Sequence, residues 1–243
     1  SGIWIGKYES ARSNSNGTTQ GTSDKIKVQP NVTSWRDASM TIGDYYTVSL
    51  NYSQDLKSHM LKNSEWGAVA YLTHSKYGRN GTEVTINNNS NYLTGNAGDS
   101  ISATASATTN AYNTEKGVLA SSTGNVYGIY DISGGAHEYV AAYYNGSTNL
   151  TEGNSFASQN GASDMYATVY MGTTLSSAYK YGDATYEVKG WNGDTGDFIS
   201  STYPFFKRGG QYDSISTSGI FFTEGFFRQA YDRLTFRISL VTE

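Results

Sequence analysis

The sequence predicts an α+β domain, with two helices packed on short, mostly antiparallel sheets and long irregular loops between them. Three observations carry that reading. Hydrophobic residues are 37% and charged residues 16% of the 243, and the balance is largely Gly (27), Tyr (21), Asn, Ser and Thr. Short strands joined by polar turns have this composition. The aromatic fraction is 14%, and disordered chains are poor in aromatic residues. Trp66, Val69, Ala70 and Thr73 fall at the i, i+3, i+4, i+7 spacing of one helix face. The length suits one domain with a sizeable core, and no linker divides 1–243.

Along the chain, residues 2–9 alternate apolar and polar and read as a strand. Residues 11–25 are Ser/Asn/Gly/Thr-rich and read as loop. A first helix is expected after Pro30, with Ser34 as its N-cap and Trp35, Ala38, Ile42 and Tyr45 on one face. Leu56 to Met60 reads as a short helical turn. The second helix starts at Asn63, which can cap it. Glu65 lies in its first turn, where the dipole favours a carboxylate, and Gly78 or Asn80-Gly81 ends it.

Residues 85–117 are low in complexity and are expected to form surface loops that add little core. A second polar, Gly-punctuated insertion covers 145–200, with a short strand near Met165–Met171. Strand character returns at 205–212 and 234–241.

The formal charge of −4 argues against nucleic acid as a partner. Lys207, Arg208, Arg228, Arg233 and Arg237 gather late but form no basic cluster. No apolar run approaches the ~20 residues of a membrane span. With no Cys, disulfides, Cys-ligated zinc and thiolate catalysis are all removed. No signal peptide is visible and the chain starts without Met, which fits a processed protein or an excised domain. His59 and His74 are expected at the surface and His137 beside the core. Trp4, Trp35, Trp66 and Tyr139 read as core aromatics. Asp194 and Asp197 are the one carboxylate pair to offer for acid–base work, and a solvated Gly-rich turn explains them better. No residue is assigned a catalytic role.

Six segments, in order, resemble one family. They are Trp4–Glu9 (WIGKYE), Pro30 with Val32–Ala38 (VTSWRDA), Leu61–Ala70, Gly128–Val140, Arg208–Tyr212 (RGGQY) and Phe236-Arg237-Ile238. The chain resembles the formylglycine-generating-enzyme-like (sulfatase-modifying factor) domain, a variant of the C-type lectin fold. The resemblance implies that Arg208 and Arg237 are scaffold residues. The oxidase of that family uses a Cys pair after its RGG motif. Here Asp213–Gly219 stands there without a thiol, so that activity is not expected. Relatives often hold a structural calcium near the loop matched by Gly128–Val140. Gly135 replaces the usual Asn, and Asp131 and Glu138 are the remaining oxygen donors. Their better reading is turn hydrogen bonding for Asp131 and a buried polar contact for Glu138, with no cofactor required.

The same resemblance extends to variable proteins of diversity-generating retroelements, among them phage receptor-binding proteins. In these, a C-terminal segment carries the ligand-contacting residues. Segment 211–235 lies between RGG and FR in the same way. Its expected ligand-binding residues are Tyr212, Asp213, Ser214, Ile215, Phe221, Phe222, Thr223, Phe226, Tyr231 and Asp232. Neighbours on a strand point to opposite faces, so Phe221-Phe222 and Phe226-Phe227 each leave one ring outward unless loops 145–200 cover it. Tyr212, Ile215, Phe222, Phe226 and Tyr231 are expected to line one external patch. The implied partner is a protein or glycan receptor, and the implied place is a virion or a bacterial or archaeal cell surface. A degenerate enzyme-fold domain with another activity and a structural virion or surface domain remain as alternatives.

Overall fold

The computed structural model describes residues 2–13, 25–154, 156–157, 164–173, 180–227 and 231–242. Arg228 lies outside the described residues, as does most of the predicted 11–25 loop.

The architecture is α+β. Two helices, α1 (Ile42–Leu50) and α2 (Asn63–His74), pack against small sheets. The first strand β1 (Gly2–Ile5), the last strand β12 (Ile238–Thr242) and β4 (His59–Met60) form a three-stranded antiparallel sheet with β12 in the middle. The larger sheet runs β10 (Thr223–Phe226), β9 (Phe205–Arg208), β7 (His137–Tyr144), β11 (Leu234–Phe236). β8 (Thr168–Tyr170) also pairs with β7. β7 is antiparallel to β9 but parallel to β11 and β8. Two short hairpin ladders complete the set: β2 (Ala11–Arg12) with β3 (Ile26–Lys27), and β5 (Asn96–Ala97) with β6 (Asn110–Ala111).

β7 organises the interior. Its sequence HEYVAAYY is an almost unbroken apolar run after Glu138, and all but the last residue are buried. A strand with both faces covered reads this way. Because side chains alternate, Tyr139, Ala141 and Tyr143 enter one core with Trp35, Tyr45 and Phe236. Val140 and Ala142 enter a second core with Trp66, Val69, Ile132 and Phe221. β9 divides the same way, with Phe205 in the first core and Phe206 in the second.

The first helix begins later than the sequence suggests. Thr41 is its N-cap, and Thr41 and Asp44 form a reciprocal capping box, with Asp44 N–H to Thr41 Oγ1 at 3.2 Å and Thr41 N–H to Asp44 Oδ2 at 2.8 Å. Ser34 cannot cap it. Its hydroxyl donates to Glu9, its N–H donates to the Tyr92 carbonyl at 3.0 Å, and Trp35 N–H donates to the Ser10 carbonyl at 2.8 Å. Those cross-chain bonds hold 34–35 extended, while Trp35 stays in the core. Residues 54–57 form turns, and β4 takes the end of the segment read as helical. The second helix begins at Asn63, but its N-cap is Lys62, whose N–H donates to Glu65 Oε2 at 2.9 Å, while the Asn63 side chain is taken by Tyr170 and Arg208; the helix ends at His74, before Gly78.

Three further expectations are corrected. Trp4 is 66% exposed, because β1 is an edge strand and its outer side carries no partner among the described residues. His59 is fully buried, its Nε2 3.0 Å from Glu65 Oε1 and its Nδ1 2.8 Å from the Lys57 carbonyl. The 85–117 insertion is irregular but not superficial, since Thr85, Asn87, Asn89, Thr94 and Asn96 are buried. Their side-chain amides and hydroxyls replace ladder bonds. Asn87 Nδ2 donates to Asp131 Oδ1 at 2.8 Å, Asn89 Nδ2 to Thr109 Oγ1 at 2.7 Å, and Thr109 Oγ1 to Asn96 Oδ1 at 2.8 Å. Burial of such groups is tolerable only when they are paired in this way. No described helix is long and apolar enough to cross a membrane.

Candidate functional site

The C-terminal segment builds one wall of an open groove of about 1020 Å³. β9 and β10 supply its floor. In their register Glu224 stands opposite Lys207, and the two side chains meet at 3.0 Å. Lys207 Nζ also lies 4.8 Å from the centre of the Phe226 ring, a cation–π contact. Phe226 leans on Tyr231, with ring centres 6.3 Å apart. The buried ring of His137, at the start of β7, stacks on Phe222 at 5.3 Å. Burial holds the His137 pKa well below its ordinary value, and Lys207 and Arg233 reinforce the effect, so the ring is neutral at pH 7. The stretch 195–203 runs beside the start of β10, with Asp197 N–H donating to the Thr223 carbonyl at 2.8 Å and Tyr203 packed on Phe227 at 5.2 Å, and it adds Asp197, Phe198 and a half-exposed Tyr203 to the lining.

Of the ten residues expected to contact ligand, Ser214, Phe222, Phe226 and Tyr231 line this groove. The expected five-residue patch divides. Tyr212 packs edge-on against Tyr92 at 4.7 Å, in a separate cluster where the Arg36 guanidinium lies 3.5 Å from the Tyr92 ring centre. Arg233 belongs to that cluster and donates to Asp213 Oδ2 at 3.0 Å. Asp232 is exposed, and its carbonyl accepts from Arg36. Ile215 is 42% exposed on a short 3₁₀ turn outside the groove lining.

Phe221 and Thr223 are not surface residues. Phe221 is in the second core against Trp191 and His74, and Thr223 is buried opposite Arg208. Phe221 and Phe222 diverge, as neighbouring side chains of an extended segment do. Both are nonetheless covered, Phe221 by Trp191 and the C-terminal end of α2, and Phe222 by His137. His74 is accordingly half-buried rather than a surface residue.

The loop framed by Gly134 and Gly135 carries a buried charge cluster. Arg237 Nε donates to Glu138 Oε2 at 3.0 Å and Nη2 to Oε1 at 2.5 Å, a bidentate pair with both side chains fully buried. Asp131 accepts from Asn87 Nδ2 and Gly95 N–H, both at 2.8 Å, and from Glu9 N–H at 3.3 Å. Both carboxylates are engaged by protein donors. Gly135, with φ of +72°, lets the backbone pass so close to Glu9 that a Cβ there would sit 2.5 Å from Oε1. Glu9 accepts the Ala136 N–H at 2.9 Å. Burial pushes its carboxyl well above the usual range, and the Asp131 and Glu138 charges add to the shift. Among the described residues, no group of three or more His, Cys, Asp or Glu is gathered to hold a metal.

Asp194 is buried, not solvated, because its Oδ2 accepts the Phe221 N–H at 3.0 Å and Gly219 packs against it. Asp197 is 65% exposed at its side chain. Burial, reinforced by the charge of Glu83, pushes the Asp194 carboxyl up to about 8. The unfolded chain releases this proton first, near the ordinary value of about 4. Stability from this group is therefore complete at low pH and is lost as pH rises through about 8. Urea midpoints at about pH 5 and about pH 8.5 should fall for the native chain and fall less for Asp194→Asn. Equal declines would show that another group is responsible.

Sequence reasoning missed His137, Lys207, Gln211 and the whole 195–203 wall. The aromatic residues Phe198 and Tyr203, between Gly196 and Pro204, were the available signal. No protein-family model matches this chain, and no curated protein is significantly similar to it.

Proposed function

We propose that this chain is a non-enzymatic receptor-binding domain of the C-type lectin fold, formylglycine-generating-enzyme type, whose C-terminal groove grips a protein or glycan on a cell surface. The observation that carries the reading is the groove itself. Rings from 222–231 and from 195–203 line it together with the neutral His137 and the Lys207–Glu224 pair. Half-exposed aromatic rings over a rigid sheet give large contact area at low entropic cost. Three features of the scaffold support the fold assignment: the antiparallel pairing of β1 with β12, the scaffold bonds of Arg208 and Arg237, and the Gly134-Gly135 turn. Segment 211–235 is then the part that varies in a retroelement-encoded or phage protein displayed on a virion or cell surface. No step of chemistry is assigned to the groove.

Labelled domain applied to intact bacterial cells and to a glycan array tests this. Tyr231→Ala and Tyr203→Ala, on the two segments that line the groove, should each lower affinity about thirtyfold, the equivalent of ~2 kcal/mol for a desolvated ring. Melting temperature should stay close to that of the native chain, because both rings are part-exposed. Binding unchanged in both variants, or turnover of a substrate by the purified chain, would refute the reading.

A further inference from the structure

The edge strand β1 points to a second copy of this chain. β1 is GIWI, with no charge and no proline, and charge and proline are the usual devices that protect a sheet edge. Among the described residues it pairs on one side only, with β12. Gly6 N–H donates to the Ile238 carbonyl at 2.9 Å, which fixes the phase of the ladder. Hydrogen-bonded pairs alternate along an antiparallel ladder. Gly2, Trp4 and Gly6 therefore bond to β12, and Ile3 and Ile5 turn their N–H and C=O groups to the open side.

Beneath that edge lies an apolar groove of about 420 Å³ between β1, α2 and the 122–129 loop. Its lining includes Ile3 (47% exposed), Trp4 (66%), Leu72 (62%) and Tyr77 (76%). Ile5 packs toward the second core, so Ile3 and Ile5 share the face that looks at α2, and Trp4 takes the other face.

We propose that two chains associate through their β1 edges, antiparallel about a two-fold axis at Trp4. The register follows from the phase. Ile3 meets the partner's Ile5, Ile5 meets the partner's Ile3, and the two Trp4 residues face each other as a non-hydrogen-bonded pair. The edge is thus its own complement, as an isologous interface requires. The partner's two isoleucines fall on the side of the exposed Leu72 and Tyr77. The area is that of a weak association. Two exposed rings and two aliphatic side chains offer roughly 400 Å² of apolar surface per copy. The pair therefore buries about 800 Å² of side-chain surface, below the roughly 1,200 Å² of a stable interface, which places the dimer in the transient class. The inference rests on β1 and α2 alone and is independent of the function proposed for the C-terminal groove.

Light scattering on the 243-residue chain should show the mass rising toward twice the monomer value as concentration passes through the micromolar range. Ile3→Lys should hold it monomeric at the same concentrations, with an unchanged circular dichroism spectrum. A second variant does not depend on that charge being tolerated. The chain has no Cys, and facing residues of a non-hydrogen-bonded pair have Cα atoms about 4.5 Å apart, within disulfide reach. Oxidised Trp4→Cys should form a covalent dimer, whereas Met171→Cys, 71% exposed just after β8 and outside the lining of this groove, should not. A native chain that stays monomeric throughout overturns the proposal. So does a dimer that survives Ile3→Lys, or one that cross-links no better through position 4 than through 171.

Discussion

Replacing Arg237 by methionine is expected to cost about 3–5 kcal/mol of stability, as removal of one partner from a buried ion pair does. The side chain is fully buried and its guanidinium serves four acceptors on three parts of the chain. Two are the carboxylate oxygens of Glu138 on β7, one is the Gly6 carbonyl just after β1, at 2.7 Å, and one is the Tyr130 carbonyl, at 2.8 Å. Its loss leaves two carbonyls without a donor and Glu138 without its cation. Glu138 then faces the charge of Asp131 alone, and burial already pushes its carboxyl above the usual range. Glu138 must take up a proton or the fold must open. Urea denaturation at pH 7 measures the effect. Arg237→Met with Glu138→Leu should recover part of the loss, because no uncompensated buried charge remains. A single variant within 1 kcal/mol of the native chain would show that the pair is not the clasp described here.

Trp66→Ala is expected to cost a similar amount, about 3–5 kcal/mol. Trp66 is 1% exposed at the centre of the second core. Its Nε1 donates to the Ile220 carbonyl at 2.8 Å, and the buried Arg208 guanidinium lies 5.5 Å from its ring centre. Gly209, with φ of +79°, passes so close that a Cβ there would stand 3.3 Å from the ring. Truncation therefore opens a cavity and also removes the donor from Ile220, which begins the turn carrying Phe221 and Phe222. Trp66→Phe separates the two effects. It keeps most of the volume and removes only the hydrogen bond, a loss of about 1–3 kcal/mol. Ligand binding should weaken in Trp66→Ala beyond what its lower stability explains, because the turn under the groove loses its anchor. If Phe and Ala variants are equally stable, the cavity contributes nothing and the packing argument fails.

The frame was legible where a local pattern coincided with burial. The face Trp66, Val69, Ala70, Thr73 is the buried face of α2, and 205–212 and 234–241 contain β9, β11 and β12. It was illegible where distant partners override local preference. Ser34 looks like a helix cap, but Glu9 and Tyr92 claim its hydroxyl and amide. The Asn-rich 87–91 stretch looks like solvated loop, but Asp131, forty-four positions from Asn87, and Thr109 draw its amides inward. The groove followed the same division. Its aromatic wall near 222–231 stood out by composition alone. The lining contributed by 195–203, and the floor made by His137 and Lys207, exist only once β7, β9 and β10 are side by side.

The central strand has one further consequence. Consecutive residues of β7 belong to opposite interiors: Tyr139 to one and Val140 to the other. Neither interior can melt while its neighbour persists, since both lose the same strand. The molecule is built to denature as one cooperative unit. Substitutions at exposed positions such as Asp232, which enter neither interior, can then be many and varied without any of them dividing the domain into separately fraying halves.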